Sequence, residues 1–345
     1  MGGRQEAGRL SAMRYFLTGA TGFIGGVLAR QLVEAGHHVR ALVREPARAE
    51  ALRRLGVELH AGDITAPETL RVPMAGVDGV FHVAAWYAIG GRGRHLAYAA
   101  NVEGTRHVLQ AMRAAGVPKG VYTSTIAVHS DTRGQVADER WRHDGPWINE
   151  YERTKWIAHY EVALPMAADG LPLVIVQPGV VYGPGDTSAV RGAILDFLRG
   201  RLPVLPSGTT MSWAHVEDVA RGHVLAMERG RPGESYILAG EALSFVEVFR
   251  RAEQFTGVRG PRLHPPPAVT RVLAGLMGLV DPWLPVPPPF TGEGLRLMAG
   301  TTYLASSAKA ERELGYVSRP FDEGWRETLA HELRLLGRAV PAVAG

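Results

Sequence analysis

Cysteine is absent from the 345 residues, and lysine occurs only as Lys119, Lys155 and Lys309. The lack of cysteine excludes disulfides, thiolate metal sites and cysteine nucleophiles, and it is typical of a reducing compartment. Arginine supplies the rest of the 38 basic residues. A lysine at a mechanistically sensible place is therefore informative, because a guanidinium cannot replace a compact ammonium charge.

Long apolar runs are also missing. The longest, Val269–Leu284, is interrupted by Arg271 and Asp281 and ends among prolines, so it is too short and too charged to cross a bilayer. We expect it to pack in a second domain; the alternative is that its apolar face covers a greasy substrate or touches a membrane surface. Residues 1–12 lack the apolar region of a signal peptide, which predicts a disordered leader and a soluble, cytoplasmic protein.

The net charge of +4 is small, and acidic residues are interspersed throughout. No concentrated basic face with interleaved aromatics is visible, which argues against nucleic acid as a partner. The 13 histidines are not paired with carboxylates at ligand spacing. We therefore predict no metal site.

A glycine-studded turn over residues 18–25, TGATGFIG, joins an apolar run to a helical pattern. Strand, glycine turn and helix are the context of a dinucleotide-binding fingerprint, although an ordinary turn with small residues would look similar. Gly19 would allow the tight turn, Gly22 the approach of a pyrophosphate, and Gly25 close packing of helix on strand. We predict cofactor contacts from Gly19, Thr21, Gly22, Phe23, Ile24 and Gly25.

Strands alternate with helices as far as residue 178, which predicts βαβ units and a parallel sheet. The fold class is therefore α/β, a Rossmann-type doubly wound parallel sheet with a smaller, mostly helical C-terminal domain. We place the NAD(P)-binding domain at 13–182, with 214–239 returning to it. Residues 183–213 and 240–340 would form the substrate-binding domain.

The end of the second strand bears on the choice of dinucleotide. An NAD site usually has an acid there for the ribose 2′-hydroxyl, whereas this chain has Arg44, with Arg48 close by. A guanidinium would pair with a 2′-phosphate, so NADP(H) is favoured. A solvated surface Arg44 with Glu45 turned inward would instead leave NAD(H). Asp63 and Ile64 would flank the adenine, unless Asp63 is only a helix N-cap.

Thr125, Tyr151 and Lys155 form the candidate catalytic set. Thr125 ends a strand at the carboxyl edge of the sheet, and Tyr151 and Lys155 share one helix face at i, i+4 spacing. A neighbouring ammonium would lower the pKa of the phenol towards the working pH. A surface tyrosine beside a solvated lysine is the alternative.

These features resemble the short-chain dehydrogenase/reductase superfamily, in its extended branch of NAD-dependent epimerase/dehydratase type. Within that branch the chain is similar to the dihydroflavonol-reductase-like group, which includes hopanoid-associated sugar epimerases. The resemblance covers about residues 14–335. It rests on TGATGFIG (18–25), ALVREP (41–46), FHVAA (81–85), NVEGT (101–105), VYTST (121–125), Tyr151-x-x-x-Lys155, QPGVVYGPGD (177–186), HVEDVARGHVLAME (215–228), RPGESYILAG (231–240) and SSAKAERELGY (306–316).

The resemblance implies a seven-stranded Rossmann-type sheet, NAD(P) binding and a Thr125, Tyr151, Lys155 triad. Many members have serine where Thr125 stands and arginine in place of Gln177. The further contacts that it implies are Arg44 to the 2′-phosphate, Pro178 and Val181 to the nicotinamide, and cofactor binding by Ala84, Ala85, Asn101 and Thr123. Relatives commonly dimerise, and we expect a homodimer.

Aromatic side chains near these motifs are candidate substrate contacts, since they could stack on a ring or sugar face. Plain packing is the alternative for each. The candidates are Trp86, Tyr87, Trp147, Tyr182 and Met211, with Trp141, His143 and Trp213 nearby. His215 and Asp218 are expected to cap and anchor a helix.

The leading prediction is an NADP(H)-dependent oxidoreductase that moves hydride between nicotinamide and a secondary alcohol or ketone. One alternative is a nucleotide-sugar epimerase or dehydratase with tightly held NAD(P), for which Arg191, Arg199 and Arg201 are available. Another is an NADP-sensing binding protein, against which the intact proton-transfer set argues. The predicted partner is a small-molecule carbonyl, alcohol or sugar.

Overall fold

A computed structural model describes residues 12–87, 94–281, 283, 286 and 288–341. The strands in chain order are β1 (Arg14–Thr18), β2 (His38–Val43), β3 (Glu58–Ala61), β4 (Gly79–His82), β5 (Gly120–Thr123), β6 (Leu173–Pro178), β7 (Val180–Tyr182), β8 (Thr210–His215), β9 (Ser235–Leu238), β10 (Ala242–Ser244) and β11 (Thr302–Tyr303).

The α-helices are α1 (Phe23–Glu34), α2 (Glu50–Arg54), α3 (Arg71–Met74), α4 (Arg94–Tyr98), α5 (Gly104–Ala114), α6 (Glu150–Ile157), α7 (Leu164–Ala168), α8 (Ala189–Leu198), α9 (Val216–Arg229), α10 (Phe245–Thr256), α11 (Pro267–Val280), α12 (Gly292–Leu297), α13 (Ala308–Leu314) and α14 (Phe321–Leu335). Short 3₁₀ turns lie at Pro46–Arg48, Pro67–Thr69, Ile126–His129 and Pro288–Phe290, and π-helical turns at Ala99–Glu103 and Ala158–Ala163.

Within the described residues, seven strands form one parallel sheet in the order β3-β2-β1-β4-β5-β6-β9. The predicted parallel sheet is thus confirmed, and so is its number of strands. The strand order reverses between β1 and β4, and ligands of open α/β sheets bind in the crevice at such a switch point. The fold therefore places the glycine turn, which follows β1, beside the chain that leaves β4.

Helices cover both faces of this sheet. On one face, α1 and α9 pack through buried residues such as Leu28 and Val224. On the other face, α5 and the π-helical turn after α6 contribute Leu109 and Val162. The apolar run of β6 is buried along its whole length, as expected for a parallel strand covered on both sides.

A second, smaller sheet lies in the C-terminal part of the chain. Its central strand β8 pairs antiparallel with β10 and parallel with β11 and β7. Helices α10 and α14 pack against it around Trp213, Phe249 and Trp325. The strand from the returning stretch, β9, pairs with β6 in the large sheet.

The C-terminal region is mostly helical, as expected, but it also contains this small sheet, which the sequence did not predict. Its strands escaped notice because they are short and lack a clear alternation of apolar and polar residues. In β8 even Ser212 is buried, with its hydroxyl accepting a hydrogen bond from the Ala305 N–H at 3.0 Å. A buried polar residue that finds a partner removes the period-2 signal on which strand prediction depends.

Several local boundaries also differ from expectation. Two of the helical connections between strands, at 46–54 and 67–74, each consist of a 3₁₀ turn and a short α-helix. Strand β5 stops at Thr123, so Thr125 does not end the strand as predicted but caps the following 3₁₀ turn, where its hydroxyl accepts the Ala127 N–H at 3.1 Å. Across the described residues, we find no helix with the length and apolarity needed to span a bilayer.

Candidate active site

The glycine turn has the geometry that its sequence predicts. Gly19 has a φ of +77°, and a Cβ there would lie 2.6 Å from the Ala84 nitrogen. A Cβ on Gly25 would lie 2.1 Å from the Gly19 carbonyl oxygen. The turn closes through a 2.9 Å hydrogen bond from the Gly22 N–H to that same oxygen. Side chains at these positions would fill the space in which strand, turn and helix meet.

Helix α1 begins at the open end of this turn. Gly22 is its N-cap, no side chain in the described structure caps it, and its first turn contains no acidic residue. Thr21 and Gly22 are exposed, and Phe23 and Ile24 are half-buried. The first N–H groups and the positive end of the helix dipole are therefore available to an anion such as a pyrophosphate.

The chain leaving β4 forms the other wall of the crevice. The Ala84 N–H donates to the Thr18 hydroxyl at 3.2 Å, which fixes the main chain of Ala84 and Ala85 against the glycine turn. Trp86 follows, with both main-chain groups held by Asn101: its N–H donates to Oδ1 at 2.7 Å, and its carbonyl accepts from Nδ2 at 3.0 Å.

Asn101 is buried and also donates to the Thr154 hydroxyl at 3.0 Å. Its amide thus joins the chain after β4 to the helix that carries Tyr151 and Lys155. In this arrangement the amide is occupied by protein groups, so Asn101 supports the shape of the site rather than presenting its side chain to open space.

Arg44 lies exposed directly after β2 and makes no hydrogen bond or ion pair with the described part of the chain. Arg48 is equally exposed but pairs with Glu45 at 3.3 Å. Such a surface pair contributes only about 0–1 kcal/mol, so it holds Arg48 weakly. Arg44 is therefore the cation most available at the end of this strand.

Asp63 and Ile64 lie after β3. Asp63 Oδ1 accepts the Thr65 N–H at 2.9 Å and the Thr65 hydroxyl at 2.8 Å, so part of this carboxylate stabilises the turn. Ile64 is 8% exposed and packs against Gly104, where a Cβ would come within 2.7 Å of its side chain. Gly104 thus lets the Ile64 side chain lie against α5.

Tyr151 lies in the first turn of α6, the helix that Asn149 caps by accepting the Glu152 N–H at 2.9 Å. The Tyr151 ring is half-buried and meets the Tyr87 ring edge-on, with centroids 4.9 Å apart. Burial raises the pKa of Tyr151 to about 12, although its hydrogen bond with Thr125 acts in the opposite direction. The structure thus brings Thr125 and Tyr151 together.

Lys155, one turn further on, is 2% exposed. Its ammonium donates to the Thr123 carbonyl at 2.8 Å and to the Tyr122 hydroxyl at 3.0 Å. Burial lowers the pKa of Lys155 to about 7. The three lysines thus differ: Lys119 and Lys309 bind carbonyl or carboxylate groups of the structural core, whereas Lys155 lies at the carboxyl end of β5.

Tyr122 is a site residue that the sequence reading missed. Its ring lies 4.7 Å below the Lys155 nitrogen and stacks on His82, which bridges Thr18 and Thr105 through hydrogen bonds of 2.8 and 3.0 Å. This buried polar chain connects Lys155 to the strand before the glycine turn. The residues of this polar chain come from different strands, so their contacts become evident only when β1, β4 and β5 are paired in the sheet.

Glu152 is a second residue that was missed. It is 1% exposed and accepts hydrogen bonds from the Ser130 hydroxyl at 3.1 Å, the Ile148 N–H at 3.1 Å and the Tyr303 hydroxyl. Burial raises the pKa of Glu152 to about 7, although these hydrogen bonds lower it. Glu152 therefore ties β11 of the small sheet to the helix that carries Tyr151.

The remaining predicted cofactor contacts lie at the same edge of the sheet. Thr123 presents its carbonyl to Lys155, while its hydroxyl pairs with His223 at 2.8 Å. Pro178 is buried at the end of β6, and Val181 is half-buried in β7. Thr123, Pro178 and Val181 therefore lie on the same carboxyl side of the sheet as Thr125.

The candidate substrate residues divide into two groups. Tyr87 is 48% exposed against Tyr151, and Trp147 presents an indole N–H with no partner among the described residues. Tyr182, in contrast, is 2% exposed and donates its hydroxyl to the Phe321 carbonyl at 3.2 Å. Met211 is likewise buried in the core of the small sheet. Tyr182 and Met211 therefore pack in the protein core, whereas Tyr87 and Trp147 lie near α6.

His215 and Asp218 have the roles that the sequence predicted. His215 accepts the Glu217 N–H at 3.4 Å as the N-cap of α9, and Asp218 forms a bidentate pair with Arg319 at 2.8 to 3.1 Å. Among the described residues, we find no group of three or more histidine, cysteine or carboxylate side chains arranged to hold a metal ion.

Comparison with protein families decides the identity of this arrangement. Residues 15–239 match the NAD dependent epimerase/dehydratase family. The chain belongs to this family. The matched range contains the glycine turn, Thr125, Tyr151 and Lys155, so the family assignment covers the whole candidate site. The chain is accordingly an NAD(P)-dependent enzyme that acts on CH–OH groups.

Individual relatives span nearly the full chain. A Synechocystis protein named dihydroflavonol 4-reductase is 36% identical, covering 87% of this chain and 89% of its own. Sterol demethylase protein B of Methylococcus capsulatus is 34% identical, with coverages of 88% and 94%. A 3 beta-hydroxysteroid dehydrogenase/Delta 5→4-isomerase of Mycobacterium tuberculosis is 30% identical, with coverages of 88% and 85%.

Among solved structures, the crystal structure of gox2253 is similar with a TM-score of 0.82 and 35% identity. The similarity covers 94% of this chain and 98% of that one. The similarity therefore extends over nearly the whole chain.

Proposed function

We propose that this protein is an NADP(H)-dependent oxidoreductase that transfers hydride between the nicotinamide and a secondary alcohol or ketone carbon, with Tyr151 as the acid/base. The observation that carries this proposal is the position of Tyr151, one helical turn before the buried Lys155 on α6 and beside Thr125, whose hydroxyl acts to lower the Tyr151 pKa. Thr125 follows β5, the neighbour of β4, on the carboxyl side of the sheet where the glycine turn would hold a dinucleotide.

The residues around the crevice fit that cofactor. Gly19 and Gly25 leave room that a Cβ would fill, and the uncapped start of α1 suits a pyrophosphate. When bound, the nicotinamide supplies or accepts the hydride. The chain's own residues then have to position the substrate oxygen and move one proton.

Tyr151 is the group that moves the proton. With a pKa of about 12 the hydroxyl is protonated at neutral pH, so it can donate its proton to a carbonyl oxygen as negative charge develops there. In the oxidative direction the phenolate must accept the proton, which requires nearby positive charge. The Thr125 hydroxyl would form a hydrogen bond with the same substrate oxygen and so orient that oxygen.

Lys155 supplies the positive charge and positions its surroundings. Two of its ammonium protons are bound by Thr123 and Tyr122, which leaves one donor for a ribose hydroxyl. Because its pKa lies near 7, proximity of an electron-rich hydroxyl or phenolate would favour the charged form.

The preference for NADP(H) rests on Arg44. No acidic residue ends β2, and the exposed Arg44 guanidinium, which has no partner among the described residues, suits a 2′-phosphate. Replacing Arg44 by alanine should raise the KM for NADPH about tenfold or more and change that for NADH by less than about twofold. The matched control is Arg54→Ala, also exposed but one helix away. Equal effects on both cofactors would contradict the preference.

The test of the catalytic assignment is Tyr151→Phe. We expect kcat to fall on the order of 10²–10⁴-fold because the proton donor is lost. Cofactor affinity, measured by nicotinamide fluorescence, should stay within about twofold because the ring remains. Turnover would be followed by NADPH consumption with a panel of a dihydroflavonol, a 3-oxosteroid and simple ketones. Wild-type turnover in this variant would overturn the assignment.

A sugar-nucleotide epimerase is less well supported by the described residues. Of the three arginines available for a sugar pyrophosphate, Arg191 is already bound to the buried Glu332 carboxylate at 2.8 and 3.1 Å. The remaining two, Arg199 and Arg201, are exposed at the end of α8. Conversion of a nucleotide sugar without net NADPH consumption would favour that alternative.

A further inference from the structure

Helix α11 buries its small and polar residues and exposes its large apolar ones, which is the reverse of most helices on the surface of a globular protein. The residues it turns towards the protein are small or polar, with Thr270 and Ala274 each 1% exposed. Its large apolar side chains point outwards instead. Their exposed fractions are Val269 47%, Val272 65%, Leu273 44%, Leu276 56%, Leu279 73% and Val280 38%.

These six residues define what we call the apolar stripe. They follow one another at i, i+3, i+4, i+7, i+10 and i+11, which places them on one face of a helix. The stripe runs for about 17 Å along the helix axis at 1.5 Å per residue. Trp283, 85% exposed, follows the helix, and Phe290 is 45% exposed further on. Isolated exposed apolar residues are ordinary, but a continuous stripe indicates an interaction surface.

The exposed charges of residues 259–300, the stretch that contains α11 and α12, have one sign. Arg259, Arg262, Arg271 and Arg296 are all exposed. The two acidic residues of the same 259–300 stretch are not: Glu293 is buried, and Asp281 is half-buried and accepts the Gly292 N–H at 2.8 Å.

Two of these arginines line the same edge of the helix. The Arg296 guanidinium lies 3.6 Å from the position of a Cβ on Gly278. Gly278 is two turns after Arg271, so both cations lie on one side of the stripe. Long arginine side chains at such an edge can reach a headgroup layer while the stripe contacts the acyl region.

The charge decides which occupant fits. An antiparallel contact with a second copy of the chain would bring Arg271 and Arg296 against the same two arginines of the partner, and like charges so placed repel. An anionic bilayer surface offers negative charge to all of them and accepts the stripe and a tryptophan at its interface. An interfacial helix needs this combination of an apolar face and basic residues, without spanning the membrane.

We propose that α11 docks on an anionic lipid bilayer, with the apolar stripe at the boundary of headgroups and acyl chains. The surface is close in the chain to the candidate active site. Helix α12, packed against α11, leads through residues 298–301 to Tyr303, whose hydroxyl binds Glu152 beside Tyr151. The docking surface does not depend on the reaction that the site performs.

The experiment is co-sedimentation of the full chain with vesicles of phosphatidylcholine containing phosphatidylglycerol, compared with phosphatidylcholine alone. We expect binding to the anionic vesicles only, weakened by salt. Leu276→Ser with Leu279→Ser should reduce the partition coefficient about tenfold or more, since both side chains are exposed and leave the fold intact. The matched control is Val72→Ser with Leu335→Ser, equally exposed elsewhere.

Charge is tested separately with Arg271→Glu and Arg296→Glu together, against the exposed pair Arg326→Glu and Arg334→Glu on α14. Only the first pair should abolish selective binding. A blue shift of tryptophan emission on vesicles should disappear in Trp283→Phe. Absence of vesicle binding, or equal binding by the stripe variant and its control, would overturn the proposal. Self-association that the stripe variant abolishes, in place of vesicle binding, would assign the surface to a second copy.

Discussion

Helices α1 and α11 are similar in length and apolarity, but they arrange large and small side chains in opposite ways. Helix α1 buries Leu28 and Leu32 against the sheet and places its glycines at the end where a ligand would bind. Helix α11 buries Thr270 and Ala274 and leaves its leucines and valines outside. In α1 the glycines allow close packing at the end where a ligand would bind. In α11 the small residues face the protein, so the large apolar side chains lie on the outer face, where a partner could contact them.

The comparison shows that apolar composition does not decide what a helix binds. Burial of Leu28 removes its side chain from water and so stabilises the fold. Leu279 is exposed, so the same kind of stabilisation is gained only when a partner covers it. The following substitutions separate the two cases, beginning with the largest expected effect.

Gly25→Ala in α1 should be the most damaging single change. Its Cβ would lie 2.1 Å from a main-chain oxygen, which cannot move without opening the turn. We expect loss of detectable cofactor binding by fluorescence titration, with a lower melting temperature. Gly275→Ala in α11 is the matched control, because no atom lies within 4 Å of its Cβ position. That variant should be neutral or stabilised by up to about 1 kcal/mol. Similar losses in both would break the comparison.

Two buried histidines on opposite faces of the large sheet make the protein sensitive to acid. Burial lowers the pKa of His82 to about 3 and that of His223 to about 4. Between these values and about 6.5, the unfolded chain binds protons that the folded chain does not, so stability falls as the pH falls through this range. Glu152, with its pKa raised to about 7, contributes in the opposite sense between about 4.5 and 7.

His82→Gln and His223→Gln should each reduce the slope of unfolding free energy against pH by about 1.4 kcal/mol per pH unit near pH 5, measured by urea denaturation. An unaltered slope in both buried variants would show that these histidines are charged in the fold.

Leucine truncation gives the most direct contrast, because one of its two variants is expected to change stability very little. Leu28→Ala, at a fully buried position, should cost roughly 2–5 kcal/mol in unfolding free energy. Leu279→Ala, at 73% exposure, should stay within about 0.5 kcal/mol. Chemical denaturation of the two variants measures both. A large loss at Leu279 would mean that the stripe is covered in the free protein.

Much of the site was visible before the structure because it rests on local spacing. The glycine turn needs neighbours three residues apart, and Tyr151 and Lys155 need one helical turn, so both signals lie in continuous stretches of sequence. The parallel sheet was predictable for the same reason, since alternating strands and helices leave few topologies.

Tyr122, Glu152 and the small sheet were not predictable, because their roles depend on distant partners. Tyr303 reaches Glu152 across about half of the chain, and His82 meets Tyr122 only through the pairing of β4 with β5. The packing of the Val269–Leu284 helix, observed as α11 against α12, was only partly predictable for a related reason. Its apolar composition was clear, but which side faces the protein depends on α12 and on the glycines that let the two helices touch.

The sequence by itself determined the class of fold, the glycine turn and the shared helix face of Tyr151 and Lys155, because those features follow from short-range spacing. Tertiary structure alone decided that Lys155 is buried against Tyr122, that Tyr182 and Met211 belong to a core, and that α11 shows its apolar side to the outside. The physical reason is that burial is a property of what packs against a residue, and in this fold those neighbours come from remote parts of the chain.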